Sequence, residues 1–209
     1  FPRAISHDKR LEGAGEESLI FLDALRSLGK AAAPAFLQLP PQLTRKVYGK
    51  QLAAYLDWLA IQAAGLRIAV EVRATDLMTP AFATYVAERG FALVLADRLG
   101  SPDLFDAWQT IIHAGKAPPF AFIRWIGDDR NGPQGDREIQ TPRDDALERW
   151  AQRLAHLATQ QIDLFGYVHN PYEGHSPATV RRLQVLLAQH GQAADWLAGS
   201  RGSGQMPLL

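Results

Sequence analysis

Two opposite charges close the otherwise apolar segment RIAVEVR, residues 67–73. Strand side chains alternate between faces, so Glu71 and Arg73 share one face with Ala69, and the larger apolar residues share the other: Ile68, Val70 and Val72. The apolar face should pack on helices, where a charged pair would carry a large desolvation penalty. Glu71 and Arg73 are therefore expected to point into a barrel or into the crevice of an open sheet. There they could do acid–base chemistry, hold an anion, or form a buried pair that only bridges strands.

Other polar residues also lie in the second half of apolar segments, and in parallel α/β folds that edge of the sheet is where ligands bind. We predict catalytic roles for Glu71, His169 and Asp97. We predict substrate binding by His7, Gln38, Arg73, Arg124 and Asn170. Arg124 is a cation inside the apolar segment FAFIRWIG, so it needs a partner, which could be Glu71 or Asp97.

Each candidate also has a purely structural interpretation. His7 could cap the helix that follows it, and Gln38 could satisfy backbone groups. Asp97 could be a turn residue at a strand end, and Asn170 with the following Pro171 is typical of a turn. These alternatives stay open at the level of the sequence.

The elements that must position these residues alternate along the chain. Six apolar segments are predicted strands: 1–6, 34–40, 67–73, 92–98, 120–127 and 162–170. Five segments have a helical pattern: GEESLIFLDALRSLG, TRKVYGKQLAAYLDWLAIQAAG, TPAFATYVAERG, TPRDDALERWAQRLAHLATQQ and SPATVRRLQVLLAQHG. Three of these helices should begin at a Thr-Pro or Ser-Pro pair, with Thr79, Thr141 or Ser176 as the capping residue. Alternation of this kind predicts an α/β fold with a parallel sheet, either doubly wound or a TIM-type barrel that needs two more strands upstream of residue 1.

Composition sets broad limits. The chain has 209 residues, 22 basic and 22 acidic, and no cysteine. We expect one partial (β/α) barrel domain over 1–195 and a flexible tail over 196–209. The balanced charge gives no strong nucleic-acid signal, and no apolar run approaches the roughly 20 residues of a membrane span. With no signal peptide visible, a cytoplasmic location is expected.

No nucleotide-binding or metalloprotease motif is present, so no nucleotide cofactor is predicted. A divalent metal held by His7, Glu71, Asp97 and His169 is chemically possible, but their spacing has no metal-site signature and no metal ligand is assigned. The partner expected from the polar strand ends is a small polar or anionic ligand.

The chain resembles the YecE-like family, catalogued as domain of unknown function seventy-two, over nearly all of residues 1–190. The resemblance rests on the order of six motifs: FPRAISHDKRL, FLQLPPQL, AVEVRATD, FALVLADR, FIRWIG and YVHNPYEGHSPATVRRL. It implies an incomplete TIM-type barrel that lacks the first two strands, and hence a fragment that is unstable alone or depends on a partner. The family residues map onto Ile5–His7, Leu37–Pro41, Glu71–Arg73, Asp97, Arg124–Gly127 and His169–Pro177. Trp125 and Ile126 stand where many members have a histidine motif, so a role for that histidine is not carried over.

Two functions fit these residues. The first is an enzyme, of hydrolase or isomerase type, in which Glu71 or His169 is the acid or base while Arg73 and Arg124 hold an anionic group. The second is a non-catalytic binding module for a small anionic ligand or a nucleic-acid end. The second would be carried by Arg73, Arg98 and Arg124 and would need no base.

Overall fold

The computed structural model describes residues 1–191 and has an α/β fold in this range. Its five strands are β1 (Ala35–Gln38), β2 (Ile68–Glu71), β3 (Ala92–Arg98), β4 (Phe120–Gly127) and β5 (Asp163–Val168). These five agree with the second to sixth apolar segments of the sequence. The predicted flexible tail, 196–209, lies outside the described residues.

The strands form one sheet in the order β1-β2-β3-β4-β5. Parallel pairing joins β1 to β2, with Gln38 opposite Glu71, and β2 to β3, with Ala69 opposite Ala92. A helix connects each strand to the next, which is the connection that parallel neighbours require. Their carboxyl ends therefore lie at one edge of the sheet, as the alternation predicted.

Six α-helices of eight or more residues lie in residues 1–191. They are α1 (Gly15–Ser27), α2 (Arg45–Gln62), α3 (Pro80–Ala87), α4 (Phe105–His113), α5 (Asp144–Thr159) and α6 (Ser176–Gln189). The sequence analysis did not identify α4, which is short and has no side-chain cap at its N-cap residue Leu104. It nevertheless packs firmly, because Trp108 is fully buried.

The prediction that residues 1–6 form a strand is wrong. Ala4–Asp8 is a single π-helical turn, and the Leu11 N–H donates to the Ile5 carbonyl at 2.8 Å. Apolar residues at positions 1, 4 and 5 fit helical spacing as well as a strand, and a run this short does not distinguish the two. Arg10 and Leu11 then take left-handed backbone conformations that reverse the chain.

One of the three predicted helix caps is confirmed. The Thr79 hydroxyl accepts the Phe82 N–H at 3.2 Å at the start of α3. By contrast, α5 begins two residues after Pro142, and α6 begins at Ser176 itself, so neither Thr141 nor Ser176 occupies the N-cap position. Other side chains serve these two helix starts.

The residues pack as two compact units, one over Phe1–Arg124 and the other beginning at Trp125, with the division inside β4. In the first unit α1 and α2 share a buried polar contact, with 2.7 Å between the Ser18 and Tyr55 hydroxyl oxygens. In the second unit the Trp125 and Trp150 rings meet edge to face at 5.6 Å. Among residues 1–191, every helix is too short or too polar to cross a membrane.

Candidate functional site

The sheet of the first unit is curved, and its concave face carries the candidate site. Phe36 in β1 and Phe122 in β4 have ring centroids 5.4 Å apart, although two strands separate β1 from β4 in the sheet. Side chains of non-adjacent strands can meet in this way only if the sheet bends toward them. Strand alternation then places Gln38 and Arg124 on the same face as the two rings.

Glu71 and Arg124 form an ion pair on this concave face, across β3. The side chains are 2 % and 12 % exposed, so both charges are taken out of water. The Arg124 guanidinium also lies over the Phe36 ring, at 4.9 Å from its centroid. Of the two partners that the sequence allowed for Arg124, the structure therefore places Glu71 beside it.

Backbone pairing fixes the end of β2 where the carboxylate lies. The Leu39 N–H donates to the Glu71 carbonyl at 2.8 Å, and Gln38 is the register neighbour of Glu71 on β1. Arg73 lies two residues beyond the end of β2 and is half-buried, so strand alternation does not fix the direction of its side chain. Gln38, Glu71 and Arg124 lie along one face at the carboxyl edge.

Asp97 is placed differently from the other candidates of the first unit. Ala69 shares a face with Glu71 and pairs with Ala92 of β3. Side chains alternate along β3, so Arg98 lies on the same face as Ala92 and Glu71. Asp97 falls on the opposite face, with Leu93 and Leu95, where helices cover the sheet. The sequence signal for Asp97 was its position at a strand end, which does not specify the face.

His7 lies outside the sheet, in the helical turn Ala4–Asp8, and is half-buried. Its Nδ1 is 2.9 Å from the hydroxyl oxygen of the buried Ser6. The N-cap of α1 is Ala14, so His7 does not cap that helix as the structural interpretation supposed.

The two remaining candidates belong to the second unit. The His169 N–H donates to the Trp125 carbonyl at 2.8 Å, which extends the pairing of β5 with β4. The Asn170 side-chain oxygen accepts the Ser176 N–H at 2.9 Å, at the start of α6. Asn170 therefore has a structural role in this unit that the sequence analysis had assigned to Ser176.

Sequence reasoning missed Glu173, a fully buried carboxylate in the second unit. One carboxylate oxygen accepts the Arg143 N–H at 2.7 Å and pairs with Arg182. The other accepts the Thr179 hydroxyl at 2.7 Å. The only signal was its place within the family-like segment 169–177, because loop residues have no periodicity to read.

Glu173 works as a structural link. Its carboxylate accepts the backbone N–H of Arg143, just before α5, and pairs with Arg182 of α6. Arg182 also pairs with Asp144 in the first turn of α5. The Glu173 carbonyl accepts the Gln140 and Thr141 N–H groups at 2.7 and 3.1 Å. Every oxygen of this residue thus has a donor, which supports a structural role.

The concave face holds the Glu71 carboxylate against the Arg124 guanidinium, and these two groups are suited to moving protons and holding anions. Among residues 1–191, no three His, Asp or Glu side chains come together as a metal site would require.

Comparison with known proteins identifies the family. The family model described as "Protein of unknown function DUF72" matches residues 1–202. A DUF72 family protein from Thermotoga maritima MSB8 has a similar fold, with a TM-score of 0.71 and 15 % identity over 90 % of this chain and 71 % of that one. A DUF72 family protein from Enterococcus faecalis V583 has a TM-score of 0.62 and 15 % identity over 83 % of this chain and 66 % of that one. No curated protein sequence matches this chain. The match over nearly the whole sequence shows that the chain belongs to the DUF72 family.

Proposed function

We propose that this protein is an enzyme that does acid–base chemistry, of hydrolase or isomerase type, on a small polar or anionic substrate at the carboxyl ends of its strands. The observation that carries the proposal is the buried Glu71–Arg124 pair on the concave face. Burying two charges costs free energy, and a strand-end position facing a concavity is where parallel α/β enzymes place their reactive groups.

The proposed roles follow from the charges. Glu71 is the acid or base, and Arg124 is its ion-pair partner in the resting protein. Arg73, two residues after Glu71 in the chain, binds the anionic group of the substrate. An approaching anion competes with Glu71 for Arg124, which frees the carboxylate to take a proton. Gln38 orients the substrate. His169 and Asn170, in the second unit, stay separate candidates for acid–base chemistry and for substrate binding.

Alternation along β3 places Asp97 on the face opposite Glu71, so its predicted catalytic role is separate from the site on the concave face. Metal analysis of protein purified without chelator or immobilised metal tests whether a divalent metal assists the reaction. A stoichiometric ion would assign part of the chemistry to Lewis-acid catalysis.

Binding of sugar phosphates tests the substrate class. Thermal-shift and calorimetric titrations would compare wild type with Arg73→Gln, and with Glu12→Gln as a control for an exposed charge. We expect a sugar phosphate to raise the Tm of wild type and of the control, and Arg73→Gln to weaken that binding about tenfold or more, the worth of one charge-assisted hydrogen bond. Equal binding by all three proteins would exclude Arg73 from the site.

The alternative is a non-catalytic binding module for a small anionic ligand or a nucleic-acid end. It is favoured by the engagement of Glu71 with Arg124, because the carboxylate is already held in an ion pair. Ligand binding without turnover, retained in Glu71→Gln, would support this alternative over the enzyme. Binding that falls steeply with salt would point to a nucleic-acid end.

We further propose that the sheet is the larger part of a TIM-type barrel closed by additional strands. In β1 the backbone groups of the odd-numbered residues form hydrogen bonds with β2. The carbonyl of Phe36 therefore points to the other edge of β1, away from β2. The Phe1 nitrogen donates to that carbonyl at 2.8 Å, so this edge can pair with further backbone. If the barrel is closed in this way, a chain of residues 1–209 alone should lack a cooperative melt above about 50 °C.

A further inference from the structure

A groove separate from the concave face lies between α2 and α3 in the first unit. Its volume is about 610 Å³, which is in the range of sites that bind small molecules or short peptide segments. Its walls come from the first turns of α2, the turn before α3, and α3 itself. The groove uses none of the residues assigned to the proposed function.

The α2 wall of the groove carries three exposed cations, Arg45, Lys46 and Lys50. None of them has a carboxylate partner within the described part of the chain. Arg26 and Arg89, elsewhere in this unit, do pair with carboxylates. The one acidic lining residue, Asp76, accepts the Lys46 backbone N–H at 3.4 Å, so the groove has three positive charges against one negative charge.

The base of the groove is apolar and open. Gly49 lies in the second turn of α2 on the lining face, where glycine is unfavourable compared with alanine. A Cβ there would make only an ordinary 3.6 Å contact with the Arg45 side chain, so packing does not require glycine. Phe82 and Tyr85 form the opposite wall, and Val47 at the rim is 70 % exposed.

The spacing of the cations selects an elongated anion. Lys46 and Lys50 are four residues apart, a rise of about 6 Å along a helix. Alternate side chains of an extended peptide repeat every 6.6–6.8 Å or so. Two carboxylates at positions i and i+2 of an extended segment therefore match the two lysines.

We propose that the groove between α2 and α3 docks an extended acidic peptide segment of a partner protein. Alternate carboxylates pair with Lys46 and Lys50, Arg45 adds a third positive charge, and an apolar side chain of the segment contacts Phe82 and Tyr85. Complementary charge sets the register and accelerates association.

The test is fluorescence anisotropy with a fluorescein-labelled peptide in which glutamate alternates with serine and is followed by leucine. A second peptide has glutamine at each glutamate. We expect wild type to bind the acidic peptide at least about tenfold more tightly than the glutamine peptide, with affinity that falls as salt is raised. Failure to bind the acidic peptide, or equal binding of both peptides, would overturn the proposal.

Two variants of equal charge locate the binding. Lys46→Gln/Lys50→Gln should weaken binding about tenfold or more, while Lys30→Gln/Lys116→Gln, at exposed lysines outside the groove, should leave it unchanged. Gly49→Met keeps the charge and fills the base, so it should also weaken binding. Equal loss in both lysine pairs would mean non-specific attraction, and displacement by equimolar inorganic phosphate would mean a simple anion site; either result contradicts a peptide-docking groove.

Discussion

Replacing Arg124 with methionine should be among the most destabilising single changes in the first unit. Methionine keeps an apolar chain over the Phe36 ring but removes the charge that faces Glu71. Because Glu71 is 2 % exposed and Arg124 12 % exposed, little solvent screening reduces the effect. Breaking a buried pair by removing one partner costs about 3–5 kcal/mol. That is a large fraction of the roughly 5–15 kcal/mol that stabilises an ordinary domain.

The matched variant removes both charges. Glu71→Leu/Arg124→Met leaves no unpaired charge, and replacing a buried pair with apolar side chains is often neutral or stabilising. We expect the double variant to lie within about 1–2 kcal/mol of wild type, while each single variant loses about 3 kcal/mol or more. The coupling energy of the double-mutant cycle should therefore be at least about 3 kcal/mol.

Urea unfolding followed by tryptophan fluorescence and by circular dichroism measures these differences. With a slope of about 2 kcal/mol per molar urea, a loss of 3 kcal/mol lowers the midpoint by roughly 1.5 M. If Arg124→Met unfolded within about 1 kcal/mol of wild type, and the coupling energy were near zero, the pair would be solvated and its assignment as a desolvated site would be wrong.

Two further predictions concern other parts of the structure. Burial raises the pKa of Tyr55 to about 12, above its unfolded value of about 10, so its contribution to stability is complete below pH 10 and is lost as the pH rises toward 12. Urea unfolding at pH 9 and pH 11.5 should show a loss of about 2 kcal/mol in wild type beyond that in Tyr55→Phe, and parallel losses in the two proteins would contradict it. Gly127 has φ +71°, and an added Cβ would lie 2.8 Å from the Pro171 carbonyl oxygen, whereas Gly115 has φ +67° and open space. Gly115→Ala should therefore cost about 1 kcal/mol and Gly127→Ala at least 1–2 kcal/mol more, as measured by urea midpoints; equal costs would refute the close approach.

Strand positions were predictable where the apolar runs were long and bounded by turn signals. The segments that contain Glu71 and Arg124 are strands. Glu71 faces the concave side as predicted, whereas Arg73 lies beyond the end of β2 and its predicted direction stays a prediction. The pairing of Glu71 with Arg124 followed in part from chemistry, since a cation among apolar residues requires a partner. The sequence could not choose between Glu71 and Asp97, because that choice depends on the register of β3.

The failures have physical causes of the same kind. Residues 1–6 have too few apolar positions to distinguish a helical turn from a strand, and the structure forms the turn at Ala4–Asp8. The helix starts at Thr141 and Ser176 were assigned from local dipeptides. At α5, Glu173 accepts the Arg143 backbone N–H from 30 residues away, and a hydrogen bond of this range has no local sequence signature. At α6, Asn170 accepts the Ser176 N–H from six residues away, across a loop whose shape the dipeptide does not encode.

Turnover by the Glu71→Gln variant tests the central claim most directly. Sugar phosphates and related phosphate esters would be incubated with wild type, with Glu71→Gln and with the exposed control Glu12→Gln, and products followed by phosphorus NMR. The proposal predicts that wild type and the control convert a substrate, while Glu71→Gln remains folded by circular dichroism and loses at least about 100-fold in rate, as expected for a general acid or base. A folded Glu71→Gln variant as active as wild type would contradict the proposal and leave Glu71 as a structural partner of Arg124.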